Sequence, residues 1–75
     1  MREYLKAMRA EKGLSMQDVA DRLEISKQYY QLIESGERQQ NMDITLAVKI
    51  AGVMGIPVER IIAEEQSRKE RGNDT

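Results

Sequence analysis

Between Gly13 and Glu37 the chain reads GLSMQDVADRLEISKQYYQLIESGE, a stretch whose polar side chains are amides, hydroxyls, carboxylates and cations. No cysteine or histidine occurs anywhere in the 75 residues. That removes thiolate nucleophiles, zinc-thiolate sites, the commonest metal ligand and the commonest general base. The chemistry left is hydrogen bonding rather than bond making, so no catalytic residue, metal site or cofactor is expected and the chain does not read as an enzyme. With Tyr30 inward on a helix and about 100° per residue, Ile33 and Glu34 stay on the inner side. Gln28, Gln31, Leu32 and Ser35 then face away, flanked by Lys27 and Tyr29. Such an outer face suits base edges in a DNA major groove: glutamine pairs two-fold with adenine, lysine with guanine, and an apolar group meets the thymine methyl. Any solvated helix face carries a similar inventory, so the surrounding elements have to decide.

Those elements are legible from their punctuation. Gly13, Gly36 and Gly55 each follow a helical stretch, where a left-handed cap favours glycine. Ser15, Ser26 and Asp43 each precede an apolar-periodic run and can accept from first-turn amides. Ser15 with Asp18 is a near match to a capping box. Helix 1 is expected from roughly Arg2 to Lys12, with Leu5 and Met8 inward and Tyr4 at their edge. Helix 2 spans about Met16 to Leu23, where Met16, Val19, Ala20 and Leu23 are spaced i, i+3, i+4, i+7. Helix 3 spans about Lys27 to Ser35. Helix 4 takes Ile44 to Met54, expected to bury Ile44, Ala47, Val48, Ala51 and Met54, with Gly52 marking close approach of a neighbour. Pro57 opens a fifth helix carrying Val58, Ile61 and Ile62 and ending near Glu65. The fold class is therefore all-α: five short helices, in one domain over residues 1–65. Residues 66–75 hold no large apolar group and are expected to form a charged, disordered tail.

Helices 2 and 3 are separated by two or three residues, which forces a steep crossing. The side chain at the closest approach must be small, and Ala20 suits that position. Ile25 plugs the turn onto the core and Ser26 caps the next helix. This is helix-turn-helix geometry argued from sterics.

Composition sets limits of its own. Twelve basic and thirteen acidic residues leave a formal net charge of −1, so no global basic field draws the chain to nucleic acid. The acids concentrate in Asp18, Asp21 and Glu24 and from Glu59 onward, whereas Lys27 and Arg38 flank helix 3. No apolar run approaches the ~20 residues needed to cross a bilayer, and no signal-peptide core opens the chain. The expectation is a cytoplasmic protein with no membrane partner.

From about Leu5 to Ile62 the sequence resembles the lambda-repressor-like, Cro-type helix-turn-helix domain of bacterial and phage regulators, the XRE family. The resemblance rests on LKAMRAEKGLS, DVADRLEIS, YYQLIESGER and ITLAVKIAGVMGIPVERII, in the family's order and spacing. It implies a sequence-specific transcription regulator, phage- or mobile-element-like and acting as a repressor. It also implies double-stranded DNA as partner and a homodimer on a near-palindromic operator with half-sites about one turn apart. By position, Lys27, Gln28, Tyr29 and Leu32 stand where the family reads bases, with Gln31 beside them. Gln17 and Ser26 stand near helix N-termini that approach phosphates, and Arg38, Gln39 and Gln40 in the loop that touches the DNA backbone. Arg9 and Glu34 match a structural pair bridging helix 1 to the end of helix 3.

Two departures stand out. Met16 occupies the position where the family often has a phosphate-binding glutamine, and Glu24 stands where the turn commonly has a left-handed glycine. Two alternatives stay open: the DNA-binding antitoxin of a toxin-antitoxin pair, or a protein-interaction module that has lost DNA binding and presents Leu32, Tyr29 and Met42 to a partner. The dimer interface is expected at helix 5 and the chain after it.

Overall fold

The computed structural model describes residues 1–73, with side chains through Arg68. Among these residues there are five helices and no strand: α1 (Glu3–Glu11), α2 (Met16–Leu23), α3 (Lys27–Ser35), α4 (Ile44–Met54) and α5 (Val58–Asn73). The chain divides into two compact units, Met1–Gln40 and Asn41–Thr75.

In the first unit, α1 buries Leu5 and Met8, α2 buries Val19, Ala20 and Leu23, and α3 buries Tyr30, Ile33 and Glu34. Ala20 has no exposed surface, consistent with the small side chain expected at the α2–α3 crossing.

Each of the first four helices stops in the same way. An amide just past the end reaches back five residues: Leu14 to the Arg9 carbonyl, Ile25 to Ala20, Glu37 to Leu32 and Ile56 to Ala51, at 3.0–3.1 Å. These bonds satisfy last-turn carbonyls that the helix itself leaves without partners. They need a left-handed residue at the bend, supplied by Gly13, Gly36, Gly55 and, in α2, by Glu24.

In the second unit the Asp43 side chain caps α4 by accepting from the Thr45 amide at 3.3 Å. The buried face of α4 is Ala47, Ile50, Ala51 and Met54, joined on α5 by Ile61. This corrects the expected face: Ile44 and Val48 are 56% and 53% exposed, and Ile50 takes the inward position. With ITLAVKIAGVM apolar almost all round, periodicity alone does not choose a face. Gly52 also departs from expectation. A Cβ there would meet nothing within 4 Å, so the glycine marks no close approach.

α5 continues to Asn73 instead of stopping near Glu65. The expected disordered segment 66–75 is thus helical as far as Asn73, and only Asp74 and Thr75 lie outside the described residues. The physical reason is local. Gln, Arg, Lys and Glu are strong helix formers, and Glu64 precedes Arg68 by four residues in the favourable order. A helix can persist there without burying an apolar group.

Candidate nucleic-acid interface

The α2–α3 pair is set by short-range bonds. Ser15 Oγ accepts from the Asp18 amide at 3.0 Å and Asp18 Oδ2 accepts from the Ser15 amide at 2.9 Å, a reciprocal capping box. The Ser15 amide, and then its hydroxyl, hold the Asp18 carboxyl below the usual carboxylate range. At the far end Glu24 lies at φ 60°, ψ 40°, so the turn keeps its left-handed shape at a cost of about 1–2 kcal/mol in a residue with a Cβ. Ser26 Oγ then accepts from the Tyr29 amide at 3.0 Å and starts α3.

The inner side of α3 is anchored by an ion pair. Arg9 Nε and Nη2 donate to the two carboxylate oxygens of Glu34, each at 3.1 Å, and Arg9 Nη1 donates to the Leu14 carbonyl at 3.1 Å. Glu34 is 1% exposed and Arg9 15%. Hydrogen bonding to Glu34 raises the Arg9 guanidinium above its ordinary value. A planar, two-pronged contact of this kind fixes orientation as well as distance. Tyr30 sits beside the pair with its hydroxyl buried and without a hydrogen-bond partner. Burial first, and then the neighbouring Glu34 carboxylate, push that phenol well above the usual tyrosine range, outweighing the opposite pull of Arg9.

On the outer side Lys27, Gln28 and Gln31 are exposed, while Tyr29 and Leu32 are half-buried. The turn after α3 exposes Arg38 and Gln40 and half-buries Gln39. Gln39 Nε2 donates to the Tyr29 hydroxyl at 3.1 Å, which joins α3 to the loop behind it. Gln17 is exposed, and its Nε2 is engaged by Asp21 Oδ1 at 2.7 Å. Ser26 is exposed and already serves as the α3 cap. Arg2, expected only as the start of helix 1, instead precedes α1, and its side chain is fully buried against the end of α3 and the turn beyond. No periodicity or spacing in the sequence signals that contact.

Comparison with known proteins gives the family. The Helix-turn-helix family matches residues 5–61, more than half of the chain. An uncharacterized HTH-type transcriptional regulator of Bacillus subtilis (strain 168), YqaF, is 38% identical over 45 residues. That similarity covers 60% of this chain and 59% of the relative. No solved structure matches the chain.

Proposed function

Because this chain belongs to the XRE-type helix-turn-helix family, we propose that it is a DNA-binding transcription regulator that reads the major groove with α3. The observation that carries this reading is the two-sidedness of α3. Its inner residues Tyr30, Ile33 and Glu34 are buried, with Glu34 held by Arg9, while Lys27, Gln28 and Gln31 stand in solvent on a helix capped at both ends. A rigid helix with exposed donors and acceptors is what groove reading requires. In this proposal Lys27, Gln28, Tyr29, Gln31 and Leu32 meet base edges. Gln17, Ser26, Arg38, Gln39 and Gln40 meet the sugar-phosphate backbone. The Arg9–Glu34 pair sets the angle of the reading helix.

The protein acts as a homodimer on a near-palindromic operator and represses by occluding a promoter. Support for the dimer comes from Ile44 and Val48 on α4 and Ile62 on α5, large apolar side chains left in solvent. An exposed apolar surface is a reason to associate, and two half-sites of modest affinity gain by being joined.

A mobility-shift titration at two salt concentrations, on DNA flanking the protein's own coding region, tests the reading. Lys27 and Arg38 are the exposed cations of the proposed contact surface, so the logarithm of the binding constant should fall with a slope of about −2 per bound protomer against the logarithm of salt. No shift at micromolar protein and low salt would remove the regulator reading. Gln28→Ala should cost about 1–3 kcal/mol at one base step with an unchanged circular dichroism spectrum. Equal loss on selected and random DNA would contradict its assigned role.

A further inference from the structure

Arg2 has no exposed surface. A cation so buried is tolerated only when its donors are met, and here three main-chain oxygens accept from it. The guanidinium donates to the Ile33 carbonyl at 2.5 Å, to the Arg38 carbonyl at 3.2 Å and to the Gln39 carbonyl. The Arg2 amide donates to the Glu34 carbonyl at 2.8 Å. Ile33 and Glu34 belong to the last turn of α3, where the carbonyls carry the negative end of the helix dipole. Arg38 and Gln39 belong to the turn that follows. One planar group with a fixed fan of donors therefore ties the end of the reading helix to the turn behind it.

Gln39 carries the connection further. It holds a left-handed backbone, φ 56°, which disfavours a residue with a Cβ. Its carbonyl accepts from Arg2 and its side-chain amide donates to the Tyr29 hydroxyl at 3.1 Å. A continuous path thus runs from Arg2 through Gln39 to a half-buried tyrosine on α3, two residues beyond the exposed Lys27.

We propose that Arg2 is a positioning residue for recognition of double-stranded DNA. It holds the Arg38–Gln40 turn and the Tyr29 hydroxyl in one arrangement, so that phosphate contacts and groove contacts are made in a common register. This rests on the regulator reading. Arg2 itself touches no DNA, and its contribution appears in discrimination between sequences.

The test uses the full chain with Arg2→Lys, Tyr29→Phe and the double variant, at a temperature where circular dichroism shows each to be fully folded. Lysine keeps the charge but loses the planar fork. Tyr29→Phe keeps the ring, outside the core, and removes the hydroxyl, which takes away the far end of the path together with that hydroxyl's own contact to DNA. Affinities are measured for a site obtained by random-site selection and for random DNA. Arg2→Lys should lose about tenfold of the preference for the selected site, the scale of one misplaced base contact. Affinity for random DNA should change little, and the double variant should lose less than the product of the two single losses. A purely structural Arg2 would lower the melting temperature yet leave the preference of the folded protein unchanged, and that result would overturn the proposal. So would independent, multiplicative losses in the double variant. If the wild-type protein shifts no DNA, the regulator reading itself falls. If it shifts DNA and Arg2→Lys keeps the wild-type preference, only the role of Arg2 falls.

Discussion

Among single residues, Tyr30 carries the sharpest energetic tension in the first unit. Its ring fills the core while its hydroxyl is buried with no partner, and an unmet buried donor costs about 1–3 kcal/mol. Tyr30→Phe keeps the ring and removes that cost. It should match or exceed the wild type by up to about 1 kcal/mol in urea unfolding at neutral pH. The pH dependence has a definite sign. Because the folded protein raises the phenol above its ordinary value of 10.0, the contribution is whole below about pH 10 and is lost as pH rises toward the folded value. Wild-type stability should therefore fall in alkali more steeply than that of Tyr30→Phe, and parallel curves would contradict the burial argument. That Tyr30 points inward was readable from the helical wheel. Its missing partner was not, because hydroxyl satisfaction depends on where Arg9 and Glu34 meet, and those residues are 25 positions apart.

The elements show where local signals suffice and where they fail. Ser15, Ser26 and Asp43 cap their helices as their spacing predicts, and α2, α3 and α4 begin and end at the expected residues. Start and stop signals act over a few residues, so a sequence displays them. The buried face of α4 depends on what packs against a helix apolar on most sides, and the end of α5 depends on propensity rather than burial. Neither is written in a periodic pattern. Two glycine-related substitutions follow from the same geometry. Glu24→Gly relieves a left-handed turn worth about 1–2 kcal/mol, less the added freedom of the unfolded chain, so a net gain of about 0.5–1 kcal/mol is expected. Gly52→Ala adds a methyl to an exposed helix position with open space around it and should gain about 0.5–1 kcal/mol. Thermal melts of the two variants check both, and a loss at either position would show a contact or a turn shape different from the one described.

For the molecule as a whole, the absence of cysteine and histidine is consistent with recognition by hydrogen bonds and packing alone. The net charge of −1 is compatible with the proposed contact surface on α3, which has no acid in its first turn, because Asp18, Asp21 and Glu24 lie on α2 and its turn instead. The repeated five-residue closures at the helix ends also bear on how the chain assembles. Each joins residues close in sequence and pays little loop-closure entropy, so the four helix ends can form early and independently. The bonds from Arg2 to Ile33 and from Arg9 to Glu34 span 31 and 25 positions and have to wait for the helices they join. Folding rates should thus be high for a chain dominated by local contacts. The two arginines should act on the rate of unfolding, as latches closed after the barrier rather than as part of it. In stopped-flow measurements Arg2→Lys is expected to steepen the loss of the native state while leaving the refolding rate nearly unchanged.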